Sequence, residues 1–214
     1  MKKHLDKIII VLLMGSIWGA FEVFGVELLK AIQVPHKSPF LFSFALMVMI
    51  ASKRLNDFPG SAILIAAVAL FYKSFSPDFQ VCWATQTTAI LTAGIVFEVG
   101  YRLFRNRIAS GMLWRSLAAI VIGYGAYIAL LSFDAVVNPE AFAACGGIAG
   151  MYGYLSSSGT YATILSVITI NLGFYAGEKT KSMLNDQTYA FVPLATKALG
   201  LIVISIAWIA QLAY

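Results

Sequence analysis

The chain is poor in charged residues: they make up 12% of its 214 residues, whereas hydrophobic residues make up 60%. Soluble domains carry about a quarter charged residues, so this composition excludes an ordinary soluble domain and favours a polytopic helical membrane protein. At roughly 20 residues per spanning helix, six or seven spans fill the chain and leave no room for a soluble catalytic or nucleic-acid-binding domain. We therefore expect residues 1–214 to form a single transmembrane helical domain.

Histidine is also scarce, since the sequence contains only His4 and His36, both outside the apolar stretches. This argues against haem held by paired intramembrane histidines and against a histidine-based zinc protease. Residues Ser156-Ser-Ser-Gly159 resemble a nucleophile turn, but no histidine within a span is available as the base. No Walker A motif is present, so the chain alone cannot hydrolyse ATP. We expect no catalytic residues, no metal site and no cofactor.

The apolar stretches predict an all-α protein, a compact bundle of six to seven transmembrane helices with a long external loop. The predicted spans are 8–29, 39–55, 60–76, 80–103, 112–133, 159–178 and 191–213. Lys53, Arg54 and Lys73 lie near span ends, where long basic side chains snorkel to the membrane surface. The glycine-rich segment 134–158 is the predicted loop, either plain or containing a re-entrant or interfacial helix.

The distribution of Lys and Arg predicts the orientation. If the N-terminus is inside, eleven basic residues lie in cytoplasmic segments and three lie outside, while Lys197 falls within the last span. The three outside residues are Lys30, Lys37 and Lys73. Because positive residues concentrate on the cytoplasmic side, we expect a multi-pass protein of the cell inner (plasma) membrane with a cytoplasmic N-terminus.

Two carboxylates, Glu22 and Glu27, interrupt the first apolar stretch. A charge at that depth costs several kcal/mol on the insertion scales, so its environment must compensate for it. The functional interpretation places both side chains against a cavity or a partner helix. The alternative is a protonated or paired glutamate with a structural role.

The fourth predicted span begins with further candidate ligand-binding residues. Trp83 and Gln86 suit a small ring-containing ligand, because an indole face stacks and an amide fixes orientation. Trp83 could equally belong to the aromatic belt at the membrane surface. Cys82 and Cys145 both fall near the predicted outer face. They could form a disulfide in an oxidising compartment or remain two separate thiols.

Other polar residues favour structural roles. Glu98 precedes Arg102 by four residues, which is the spacing of an ion pair on a helix surface. Asn171, in the middle of the sixth predicted span, favours an interhelical hydrogen bond over a cavity lining. A set of tyrosines could either line a pocket or lie at the membrane interface: Tyr124, Tyr127, Tyr161 and Tyr175.

Small residues mark one face of the first span. Gly15, Gly19 and Glu22 share a helical face, and Ser16 and Ala20 form a second small pair beside the glycines. Such a strip allows another helix to approach closely. That helix could belong to the same chain or to another subunit, and the sequence leaves both open.

Three stretches together resemble the substrate-binding S-components of energy-coupling factor (ECF) transporters. They are Gly15-Ser-Ile-Trp-Gly-Ala20, Lys53-Arg-Leu-Asn-Asp-Phe-Pro-Gly-Ser-Ala62 and Ala93-Gly-Ile-Val-Phe-Glu-Val99. The resemblance covers residues 8–105. It implies a small helical membrane protein that captures a vitamin-like molecule or a metal on the outer side. The seventh predicted span departs from the family's six-helix pattern.

The resemblance also implies partners. Gly15, Gly19 and Ala20 would form the surface that docks onto a transmembrane coupling protein, which is driven by two ATPase subunits. Glu22, Glu27, Trp83 and Gln86 would bind the small-molecule substrate without chemistry on it. Two alternatives remain: a structural subunit of a larger membrane complex, and an intramembrane lipid-modifying enzyme that uses Glu22 as general base.

Overall fold

The computed structural model describes residues 2–76, 79, 83–137, 139–144 and 146–185. Every regular element in these ranges is helical. The helices, in chain order, are α1 (Lys2–Ala20), α2 (Val26–Ala31), α3 (Lys37–Leu55), α4 (Ser61–Lys73), α5 (Trp83–Ile108), α6 (Met112–Val137), α7 (Pro139–Ala144), α8 (Gly147–Tyr154) and α9 (Thr160–Asn185). Two π-helical turns, Phe21–Gly25 and Leu155–Gly159, join α1 to α2 and α8 to α9 without a break.

The six longer helices pack as a closed ring. Following the contacts around the bundle, α3 packs on α9, α9 on α6, α6 on α5, α5 on α4, α4 on α1, and α1 again on α3. Connected helices run in opposite directions, so one end of the bundle gathers α2, the start of α3, the end of α4 and the start of α5. We call this the cavity end and the opposite one the charged end.

Five helical stretches are long and apolar enough to cross a membrane: Lys7–Ala31, Lys37–Leu55, Trp83–Ile108, Met112–Val137 and Gly147–Met183. The apolar α4 is shorter, with 13 residues. The all-helical fold is therefore confirmed with five to six helices of this kind. The predicted count of six to seven is not confirmed, and the predicted span 191–213 lies outside the described residues.

The predicted long loop over 134–158 is not confirmed either. Helix α6 continues to Val137, α7 and α8 follow, and α8 runs through a π-helical turn into α9. The glycines that favoured a loop are accommodated mainly as helical residues, while Gly146 and Gly147 take positive φ angles of 91° and 58° at the junction between α7 and α8. Within the described residues of this segment, the positive φ angles that glycine adopts easily are needed only at the junction between α7 and α8.

At the charged end, buried charges are neutralised within the chain. Lys53 Nζ lies 2.9 Å from Glu98 Oε2, with both side chains almost fully buried. The amides of Gly60 and Ala62 donate to the same carboxylate at 2.9 and 3.3 Å. The Pro59-Gly60 turn, with Gly60 at φ +83°, thus starts α4 against Glu98. Lys53 does not snorkel as predicted, because its partner lies inside the bundle.

The predicted structural roles at this end are confirmed. Arg102 Nε donates to Glu98 Oε1 at 3.1 Å, the predicted pair at a spacing of four residues. Asn171 accepts a hydrogen bond from Arg115 Nε at 2.8 Å, which ties α9 to α6. Glu98 and Asn171 therefore belong to the scaffold.

Candidate functional site

A cavity of about 260 Å³ lies inside the ring, toward the cavity end. Its wall is built by α1 and the π-helical turn that follows it, together with α2, α3, α4, α5 and α6. Most of the lining is apolar, but five polar side chains contribute to it: Glu22, Ser38, Lys73, Gln86 and Tyr127. A mostly apolar pocket with a few convergent polar groups is the usual form of a small-molecule site.

Glu22 is the carboxylate of this cavity. Its side chain is buried, with 8% exposure, and its Oε1 accepts a hydrogen bond from Trp18 Nε1 at 2.9 Å. Trp18, 1% exposed, also lines the cavity. Oε2 receives no hydrogen bond from the residues that the structure describes, so this oxygen is available to accept one from a ligand.

The helix around Glu22 is π-helical over Phe21–Gly25. A Cβ at Gly25 would lie 3.0 Å from the Phe21 ring, so a glycine there lets the ring pack over the turn. The Glu22 carbonyl oxygen accepts a hydrogen bond from Lys73 Nζ at 2.9 Å, across 51 residues of sequence. Single π-helical turns within α-helices occur frequently at functional sites.

Lys73 brings a positive charge to the same cavity. We expected this side chain to snorkel from the end of its span, but it is buried, with 5% exposure, and turned inward to Glu22. The cavity is therefore lined by one carboxyl group and one amino group on facing helices.

The remaining polar groups lie on α3, α5 and α6. Ser38 Oγ and Tyr127 Oη are 3.2 Å apart, and Phe42 packs edge-on against the Tyr127 ring with centroids 5.6 Å apart. Gln86 lines the cavity from α5, as predicted for a residue facing a ligand. Of the four tyrosines considered from sequence, Tyr127 lines the cavity.

Two of the predicted ligand-binding residues lie elsewhere. Glu27 is exposed on α2, and its Oε1 pairs with Lys30 Nζ at 2.7 Å. Trp83 is 62% exposed at the start of α5 and does not line the cavity. The structure thus brings Glu22 and Gln86 together and leaves Glu27 and Trp83 on the outer surface of the bundle.

The small-residue strip packs within the chain. A Cβ added at Gly15 would lie 2.5 Å from Val68 Cβ, and one at Gly19 would lie 2.6 Å from Tyr72 Cβ. Both glycines therefore serve the close approach of α1 and α4, which is the intramolecular alternative that the sequence left open. Ala20, beside them, is partly buried. Gly15 and Gly19 are covered by their own chain and cannot serve as an exposed docking surface.

Further predicted features have mixed outcomes. Cys82 and Cys145 lie outside the described residues.

Ser158 Oγ is 3.3 Å from His36 Nδ1, so a histidine does reach the serine turn, contrary to the expectation from sequence. Ser158 is 2% exposed and does not line the cavity, so this pair links the start of α3 to the second π-helical turn.

Metal binding has no geometric support in the described part of the chain, where no three His, Cys, Asp or Glu side chains come together. The polar groups of the cavity comprise one carboxylate, one ammonium, one amide and two hydroxyl groups. These groups suit an organic molecule held by hydrogen bonds and charge.

No match to this chain was found among protein-family models, among curated proteins or among solved structures.

Proposed function

We propose that this protein is a membrane-embedded capture protein for a small organic micronutrient, acting as the substrate-binding subunit of an ECF-type transporter. The observation that carries the proposal is the cavity inside the helix ring, where Glu22 presents a carboxylate oxygen that no described residue occupies. A buried polar group of this kind is costly unless a partner is supplied, and a ligand supplies it.

The cavity supports a compact ligand with polar groups at one end. A volume of about 260 Å³ is slightly below the range of drug-sized pockets. An N–H group of the ligand would donate to Glu22 Oε2, and an acceptor group would face Lys73 and Gln86. Tyr127, Phe42 and the apolar wall would cover the ligand atoms next to these polar groups.

The distribution of basic residues supports one orientation of the bundle in the membrane. The charged end carries Lys53, Arg54, Arg102, Arg105 and Arg107, which favours the cytoplasmic side for this end. The N-terminus would then be cytoplasmic and the cavity would lie in the outer half of the plasma membrane. That is where a capture protein meets its substrate.

Transport would need partners, because the chain contains no Walker A motif. We propose a transmembrane coupling protein with ATPase subunits in this role. Since Gly15 and Gly19 pack against α4, docking would use a surface other than these glycines. The geometry does not support the structural-subunit alternative, because Glu22 and Lys73 face into the bundle rather than toward a partner helix.

The first experiment asks whether a small molecule is retained. Wild-type protein, Glu22→Gln and Glu27→Gln are purified in mild detergent, denatured, and the released small molecules are compared by mass spectrometry. We expect one compound to be retained by the wild type and by Glu27→Gln and lost from Glu22→Gln. Glu27→Gln is the matched control, because it alters a carboxylate of the same apolar stretch that lies outside the cavity. Equal retention in all three proteins, or in none, would contradict the proposal.

A second experiment addresses the transporter assignment. The tagged protein is purified from native membranes and its companions are identified by proteomics. Co-purified ATP-binding subunits with a membrane coupling protein support the ECF-type assignment. A stoichiometric membrane partner without ATPases would instead support the structural-subunit alternative.

A further inference from the structure

A second cavity, of about 470 Å³, lies next to the first one. It is bounded by the ends of α5 and α6 at the cavity end and by α7 and α8. Leu130 lines both cavities, and the neighbouring residues Thr85 and Gln86 each line one of them. The two spaces are thus adjacent compartments, with Leu130 in the wall of both.

The two compartments differ in chemistry. The first is lined by the ionisable side chains of Glu22 and Lys73. The second is mainly apolar, with Leu131, Phe142 and Met151 in its wall beside the backbone of two glycines. Its polar contributions come from Asp134, Thr85, Tyr154 and Ser157. Apolar surface removed from water favours an apolar ligand group here.

We propose that both compartments hold one elongated ligand, with a polar head in the first cavity and an apolar ring system or chain in the second. This inference rests on the proposed function. Leu130 then determines specificity, because its side chain stands where head and tail join. Since Glu22 and Lys73 line the head compartment together, a head with an ammonium and a carboxylate group complements both.

Two probes that share the same amino-acid head but differ in length test the inference. They are L-phenylalanine, with one ring, and L-4-phenylphenylalanine, with two rings in line. Binding is measured by equilibrium dialysis against protein in lipid nanodiscs, with protein-free nanodiscs as the blank. We expect the two-ring probe to bind about tenfold or more tightly, because burying one more aromatic ring contributes at least that factor.

Met151→Trp places a bulky ring in the second compartment and should reduce the advantage of the two-ring probe, leaving the affinity for phenylalanine unchanged. Tyr152→Trp is the matched control, because Tyr152 is 66% exposed on the same helix and lines neither cavity. It should keep the full preference. Leu131→Phe, which narrows only the second compartment, provides the same test if Met151→Trp does not fold.

The inference would be overturned if the two probes bound with equal affinity or if neither bound. It would also be overturned if both Met151→Trp and Leu131→Phe kept the full preference for the two-ring probe. Its failure is separable from that of the proposed function. A native compound retained by the wild type and by Met151→Trp, but lost from Glu22→Gln, would keep the capture function and confine the ligand to the first cavity.

Discussion

The buried carboxyl groups at the two ends of the bundle differ in how many hydrogen bonds they receive from the chain. At the charged end, the Glu98 carboxylate accepts hydrogen bonds from Lys53, Arg102 and the amides of Gly60 and Ala62. At the cavity end, the Glu22 side chain accepts one hydrogen bond from the described residues, from Trp18, and borders an open space. Both carboxylates are buried in apolar helices, but only one has its acceptor sites filled by its own chain.

This difference distinguishes a structural carboxylate, Glu98, from the carboxylate of the candidate site, Glu22. A buried carboxylate whose oxygens are all bonded holds helices together, and its removal leaves unpaired partners. A buried carboxylate that borders a cavity is costly without a further partner, and in the proposed function a ligand is that partner.

The largest expected effect is at the charged end. Glu98→Ala leaves the buried Lys53 ammonium without its partner and should lower the free energy of unfolding by about 3–5 kcal/mol. The measurement is reversible unfolding in mixed detergent and SDS micelles. The control, Arg105→Ala, breaks the more exposed pair with Asp57 and should cost less than about 1 kcal/mol. Similar losses in both variants would refute the assignment of Glu98 to the scaffold.

An intermediate effect is expected where α1 meets α4. Gly19→Ala places a methyl group against Tyr72 and should destabilise the isolated protein by about 1–3 kcal/mol, since the close packing must open. The same unfolding assay measures it. Gly153→Ala is the control, because a Cβ there meets nothing within 4 Å. If Gly19 instead served a partner, its replacement would leave the isolated protein as stable as the wild type.

The smallest effect is expected on α2. Glu27→Gln removes an exposed pair with Lys30, three residues away, and should change the free energy of unfolding by less than about 0.5 kcal/mol. Thermal unfolding followed by circular dichroism is sufficient to check this. A loss comparable to that of Glu98→Ala would show that Glu27 is part of a buried network.

Sequence reasoning identified features that depend on local spacing. The Glu98–Arg102 pair follows from a separation of four residues, and Gly15 and Gly19, also four residues apart, both pack on α4. Glu22 emerged because a carboxylate in an apolar stretch is conspicuous. Glu27 was conspicuous for the same reason, but it lies on α2 beyond the π-helical turn, where its side chain is exposed and pairs with Lys30.

The features missed by sequence reasoning depend on distant contacts. Lys53 and Lys73 lie near helix ends, where snorkelling is the usual outcome. Their partners, Glu98 and the Glu22 carbonyl, are 45 and 51 residues away, and no local pattern reveals such pairs. The Ser38–Tyr127 contact and the approach of His36 to Ser158 are hidden for the same reason. Glycine content suggested a loop at 134–158, but propensity is only a weak prior, and the segment contains α7 and α8.

The most direct test of the central claim is native mass spectrometry of the protein released from mild detergent. The wild type should carry one small-molecule adduct per chain, and Ala89→Phe, which places an aromatic ring in the cavity and keeps Glu22, should carry none. Ile95→Phe, at a 48% exposed position of the same helix, should keep the adduct. An adduct that persists in Ala89→Phe, or a wild type without one, would contradict the account.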